Sequence, residues 1–383
     1  MALDQATLNQ FLDTLTRFVN ERLRPLESQV GREDRIPDEV VQEMKDLGLF
    51  GLTIPEAYGG LGLNMSEEVA VARVFGRTSP AFRSTFGTNV GIGSQSLVID
   101  GTEEQKKHYL PRMATGEIVG SFCLTEPDAG SDAASVRMTA VRDGDDYVLN
   151  GTKRYITNSS QADLFTVFAR TDPAQRGARG VSAFLVDKSS AGISLGQPYS
   201  KMGQQGAPVC DVIFEDVRVP QDKLVGGREN VGFATAMKVL DKGRLHISAI
   251  SVGVAERLIE DSVKYALERK QFGQAIAEFQ LIQAMLADSE AEMYAARCMV
   301  EETARRRDEG ENVAALAASC KLFATEMVGR VADRAVQIFG GAGYIEEYGI
   351  ERFYRDVRLF RIYEGTSQIQ QTVIAKDLLR RYA

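Results

Sequence analysis

Near the C-terminus, Arg361-Ile362-Tyr363-Glu364-Gly365-Thr366-Ser367-Gln368-Ile369-Gln370 places a carboxylate between an aromatic ring and a glycine. Thr366 and Ser367 stand just ahead of an apolar-periodic stretch that closes near Arg381, and Thr or Ser in that position is an N-cap signal. A helix start leaves backbone N–H groups unpaired, so Glu364 should lie beside donors able to hold a polar part of a ligand. Two roles are open to it: general base, or a carboxylate that only complements the positive end of the helix dipole. The decapeptide does not separate them.

The chain that must position this residue reads as three blocks. From residue 8 to 26, Leu8, Phe11, Leu12, Leu15, Phe18, Val19 and Leu23 recur at helical spacing. Pro37 starts a second helix through Leu47, and further helical segments run to about Arg112. Near Ile118 the period changes. Residues 136–141 and 147–149 flank Asp143-Gly144-Asp145-Asp146, the pattern of a β-hairpin. Short apolar runs bounded by Gly, Pro or Asp continue to about residue 227. From Val231 the helical period returns, with stripes through Ala255, Leu258, Ile259 and Ser262, and later through Leu316, Cys320, Phe323 and Met327. Long striped helices build a bundle. The expectation is an α+β chain: an N-terminal helical domain at 1–117, a barrel-like or sandwich β domain at 118–228 and a C-terminal four-helix bundle at 229–383.

Composition narrows the chemistry. With 383 residues, 44% of them hydrophobic, the chain can bury a large core. A formal charge of −8 argues against a nucleic-acid footprint. Arg305-Arg306-Arg307 is flanked by acids on both sides and reads as a solvated helix end. Four cysteines without CxxC spacing read as buried thiols of a reducing compartment. Two histidines, His108 and His246, give a metal centre or a Ser-His-Asp triad little to draw on. The N-terminus has no signal-peptide pattern and no run reaches transmembrane length, so a cytoplasmic, membrane-free location is expected.

Three segments, the opening one among them, carry a resemblance. They are Phe122-Cys123-Leu124-Thr125-Glu126-Pro127-Asp128-Ala129-Gly130-Ser131, Gln337-Ile338-Phe339-Gly340-Gly341, and Tyr363-Glu364-Gly365-Thr366-Ser367-Gln368. In this order and spacing, within an α/β/α chain of this length, the sequence resembles the acyl-CoA dehydrogenase family along nearly its whole length. The resemblance implies FAD as cofactor. It implies that Phe122, Leu124, Thr125, Gly130 and Ser131 line the flavin, with Ser131 also reaching the CoA. Tyr155, Ile156 and Thr157 match a second flavin segment, in which the family usually carries a tryptophan where this chain has Tyr155. Asp241, Lys242, Gly243 and Arg244 match the segment that meets the substrate and its CoA portion. Some family members carry the catalytic glutamate at the position of Gly243; glycine cannot act there, which leaves Glu364 as the base. Arg269, Phe272 and Gln280, with Gln337, Ile338, Phe339, Gly340 and Gly341, match segments that reach the FAD of a neighbouring subunit. Thr366, Ser367 and Gln368 complete the cofactor contacts, and Tyr363 and Gly365 the substrate contacts.

The activity implied is oxidation of a short- or medium-chain acyl-CoA to the trans-2-enoyl-CoA. Glu364 would take the α proton, flavin would take the β hydride, and electrons would leave to an electron-transferring flavoprotein. A homotetramer with shared FAD sites, and no metal, is expected. Arg83, in Ala81-Phe82-Arg83-Ser84, resembles the arginine that binds the distal carboxylate in glutaryl-CoA dehydrogenases. Facing the acyl pocket it would favour a dicarboxylyl-CoA; turned away, it would pair with an acid or water. A catalytically silent acyl-CoA-binding or assembly subunit is the alternative outside enzymes.

Overall fold

The structure, a computed structural model, describes residues 3–175 and 177–383. Its first block contains helices α1 (Gln5–Arg17), α2 (Glu27–Glu33), α3 (Asp38–Asp46), α4 (Met65–Gly76), α5 (Pro80–Gly87), α6 (Gln95–Asp100) and α7 (Glu103–Ala114). The stripe expected as one helix over 8–26 is broken. After α1 it loosens into a π turn, Phe18–Leu23, then tightens into the 3-10 turn Arg24–Leu26. Pro25 lacks the N–H that a continuous α-helix needs there. Starts of α4 and α7 are fixed by capping boxes, Asn64 with Glu67 and Thr102 with Gln105.

Strands β1 (Gly120–Cys123), β2 (Thr139–Asp143), β3 (Asp146–Thr157), β4 (Leu164–Arg170), β5 (Val181–Asp187), β6 (Ile193–Leu195) and β7 (Val209–Pro220) form one curled sheet. Its order is β1-β4-β2-β3-β7-β6, with β5 paired antiparallel to β4. β2 and β3 make the expected hairpin, with Asp143 opposite Asp146 across Gly144-Asp145. β4 and β5 are buried along almost their whole length, as strands covered on both faces should be. β3 slips register against β7 between Lys153 and Ile156, and Tyr155 lies in that irregularity with φ +57°. Such bulges re-aim side chains beside functional sites.

The last block is a bundle of α8 (Gly232–Glu268), α9 (Gln280–Asp308), α10 (Ala314–Phe339) and α12 (Ser367–Tyr382), with the short α11 (Ile350–Val357) between the last two. α4 and α8 cross with backbones in contact. A Cβ on Gly76 would meet Ile250 O at 2.4 Å, and one on Gly253 would meet Arg73 O at 2.0 Å. These glycines bring the polar residues of α4 within reach of α8, with consequences for the site.

One expectation changes. Cys123, Cys210 and Cys320 are buried, but Cys298 is exposed because it falls on the outer face of α9. The basic cluster is paired as expected, Arg305 with Glu302 and Glu309, Arg306 with Glu311. No helix among the described residues is long and apolar enough to cross a membrane, and none of their His, Cys, Asp and Glu side chains cluster as metal ligands would.

Candidate active site

Thr366 caps α12, its hydroxyl accepting from Ile369 N at 3.3 Å. The two residues before it turn left-handed, Glu364 at φ +54° and Gly365 at φ +89°. That conformation is costly for a glutamate and persists only where the surroundings enforce it. They do so through the Gly365 carbonyl, which accepts from Lys321 Nζ at 2.8 Å and from Gln370 Nε2 at 2.9 Å. Lys321, on α10, has no exposed surface. Burial lowers its pKa to about 8, opposed by the nearby Glu364 carboxylate.

The turn aims Glu364 at α8. Its Oε2 is covered and has no hydrogen-bond partner among the described residues. Gly243 supplies the space: a Cβ there would lie 2.2 Å from Oε2. Desolvation raises the Glu364 pKa above the ordinary carboxylate range, while the charges of Arg83, Lys321 and Arg244 restrain the rise. An unpaired carboxylate with a raised pKa, held in a cleft, is the profile of a general base.

Glu364 opens into a cavity of about 360 Å³ between the β sheet and the helices. Phe122, Leu124, Thr125, Gly130, Ser131, Tyr155, Ile156 and Thr157 form its sheet-side wall. Arg83, Lys242, Gly243, Arg244, Tyr363 and Gly365 line the helical side. The sheet-side wall fits a flat ring with polar edges. Among the described residues, the hydroxyls of Thr125, Ser131 and Thr157 make no hydrogen bond, and no atom lies within 4 Å of where a Gly130 Cβ would stand. The wall is held from behind by the buried Lys153, which donates to Leu124 O at 3.1 Å and to Glu126 Oε1 at 2.7 Å. Glu126 in turn accepts from the backbone of Arg137 and Met138.

Arg83 faces this cavity and lies buried. Among the described residues it pairs with no acid; its Nε donates to His246 Nε2 at 2.8 Å. His246 Nδ1 lies 2.9 Å from Glu68 Oε1, and Glu68 Oε2 is 3.1 Å from Lys242 Nζ. Burial, reinforced by Arg83, lowers the His246 pKa to about 4. Glu68 is fully desolvated, yet Lys242 and His246 bring its pKa down to about 2. Arg244 pairs with Asp241 one turn before it, a contact that leaves Asp241 beside the cavity and Arg244 in its lining.

Several expected contacts lie elsewhere in the single chain. Thr366 serves the cap, Ser367 is buried and donates to Glu326 at 2.6 Å, and Gln368 is exposed. Arg269, Phe272 and Gln280 are exposed around a small hairpin, and Gln337, Gly340 and Gly341 are exposed at the end of α10. The two groups adjoin, since Ala266, Ile276 and Ile338 share one apolar cluster. Ile338 and Phe339 are buried there, Phe339 stacked on Tyr265 at 4.0 Å, so their side chains serve packing within this chain. Sequence reasoning missed Lys321, Glu68 and His246. A lysine inside an apolar helical stripe was the available signal for the first; the other two depend on the α4–α8 crossing.

Family models match along the chain: acyl-CoA dehydrogenase N-terminal domain over residues 5–117, middle domain over 121–217 and C-terminal domain over 230–379. The caffeyl-CoA reductase-Etf complex subunit CarC of Acetobacterium woodii is 41% identical across 97% of this chain and 98% of its own. Butyryl-CoA dehydrogenase from Megasphaera elsdenii superposes with a TM-score of 0.94 at 34% identity, covering 99% of both chains. The glutaryl-coenzyme A dehydrogenase–glutaryl-CoA complex superposes at 0.93 and 34% identity, covering 99% of this chain and 96% of that one.

Proposed function

Because this chain belongs to the acyl-CoA dehydrogenase family, a family of FAD-dependent oxidoreductases acting on CH–CH bonds of acyl-CoA, we propose that it interconverts an acyl-CoA and its trans-2-enoyl-CoA, with Glu364 as the acid–base group. The observation that carries this reading is the orphaned Glu364 Oε2, held in the cavity opposite a hydroxyl-edged wall. Phe122, Leu124, Thr125, Gly130, Ser131, Tyr155, Ile156 and Thr157 would hold the FAD ring system. Bound there, FAD supplies the acceptor for the β hydride. Glu364 takes the α proton. A raised pKa makes its carboxylate a stronger base than a solvated one, while the charges of Arg83, Lys321 and Arg244 favour its ionised form. The developing enolate needs donors at the thioester oxygen, and the Glu364 N–H, which has no backbone acceptor among the described residues, supports that role.

The same arrangement serves either direction: an enoyl thioester would take back the proton from Glu364. The name of the A. woodii relative carries both reduction and an Etf complex, which supports electron-transferring flavoprotein as the electron partner here. The exposed residues around Phe272 and Gly340 support an assembly in which a second copy covers them and shares its FAD site. Retention of Glu364 speaks against a silent subunit.

One observation favours a second, narrower reading of the substrate. Arg83 lies in the cavity without an acidic partner, and a buried guanidinium left unpaired disfavours a plain alkyl tail. A tail ending in a carboxylate satisfies it. Anaerobic flavin reduction with butyryl-, octanoyl- and glutaryl-CoA tests both readings. Bleaching by any of them that survives Glu364→Gln would overturn the base, and bleaching by butyryl- and octanoyl-CoA in preference to glutaryl-CoA would overturn the role of Arg83.

A further inference from the structure

We infer that His246 is a specificity-determining positioning residue: locked between Glu68 and Arg83, it turns the Arg83 guanidinium so that only its Nη1/Nη2 end is offered to a carboxylate at the end of the acyl chain. This rests on the reading of Arg83 as a carboxylate receptor.

The hydrogen-bond roles follow from the donors available. Arg83 Nε can only donate, so His246 Nε2 must accept with a lone pair. The ring proton then sits on Nδ1 and is donated to Glu68 Oε1. The imidazole is thereby a neutral linker of fixed tautomer. Glu68 is held on its other oxygen by Lys242, which also donates to Gln95 Oε1 at 3.2 Å. Rotation of the ring would break both of its bonds at once.

Arg83 is confined from a second side. It lies over Gly87, one turn later on α5, where a Cβ would come within 2.6 Å of Nε and 3.1 Å of Cζ. With Nε engaged, a carboxylate cannot bind across the Nε edge; the end-on fork is the approach that remains. The charges point the same way. Arg83 and Lys242 are cationic, Glu68 is anionic and His246 is neutral, so these four residues carry one net positive charge, which the Glu364 carboxylate faces across the cavity without an ion-pair contact among the described residues. A distal carboxylate supplies an anion in direct contact. A cationic or purely alkyl tail does not.

The test compares glutaryl-CoA with valeryl-CoA, which have acyl chains of equal carbon number, on the flavin-loaded enzyme. Wild type should favour glutaryl-CoA in kcat/KM. His246→Leu should lower that preference about tenfold, the loss of one hydrogen bond to a charged group, mainly through KM for glutaryl-CoA. His246→Gln, whose amide can accept from Arg83 and donate to Glu68, should recover most of it. An unchanged preference in His246→Leu, or a loss in His246→Gln as large as in His246→Leu, would overturn the linker. A wild type without the preference would overturn the underlying reading of Arg83, and the linker with it. Should His246→Leu not retain flavin, His246→Asn, too short to reach both Glu68 and Arg83, takes its place: a reduced preference supports the linker, and an unchanged one refutes it.

Discussion

The cavity around Glu364 and the surface around Phe272 are built on opposite plans. In the cavity, charged side chains are withdrawn from water and clamped by one another: Lys321 has no exposed surface, Glu68 and His246 are buried, and Glu364 is left with an orphaned oxygen. Around Phe272 the side chains are displayed. Phe272 is 94% exposed, Leu281 81% and Tyr344 83%. The difference teaches which chemistry one chain can complete alone. The proposed proton transfer needs a dry, rigid carboxylate, and the fold of a single chain supplies one. Large apolar side chains left this exposed are the mark of a surface that awaits a partner.

Perturbing each region should therefore break different properties. Glu364→Gln should slow flavin bleaching by acyl-CoA at least about 1000-fold while flavin stays bound, within the range for loss of a general base; stopped-flow absorbance reads it. The buried network should appear in the pH dependence of folding. Because the folded His246 pKa, about 4, lies below the ordinary 6.5, the unfolded chain takes up this proton first. Its stabilising share is complete above about pH 6.5 and is lost as pH falls toward 4, by up to roughly 3 kcal/mol. Urea unfolding at pH 7 and pH 4.5 should show a larger drop for wild type than for His246→Gln. Gly243→Ala places a methyl against Oε2 and should lower kcat about 100-fold through misplacement of the carboxylate, with flavin retained. Phe272→Ser should change the folding stability of one chain by less than about 0.5 kcal/mol, yet weaken self-association in sedimentation velocity. Normal association in that variant would erase the contrast.

What could be read from sequence follows the same division. Local signals survived: the Thr366 cap and the hairpin at Gly144-Asp145 were both legible in short windows. Their signals depend on a few neighbouring residues. The Arg83 environment was not legible, because the ring that meets it lies 163 positions away and arrives only through the backbone contact of α4 with α8. Nor was the break after Arg17, where one apolar stripe continues through a π turn and a 3-10 turn without losing its phase enough to be seen. The family resemblance supplied the role proposed for Glu364. Lys321 was concealed within an otherwise apolar stripe that reads as packing.

That lysine makes the bundle interior a participant in turnover. The Glu364 carboxylate favours the ammonium form of Lys321, and Lys321 favours the carboxylate in return. In the proposed reaction, each proton that Glu364 takes from substrate would remove that mutual support and make the amine more acidic. Two ionisations on different helical segments thus become one coupled event, and the enzyme's acid limb should report the pair together.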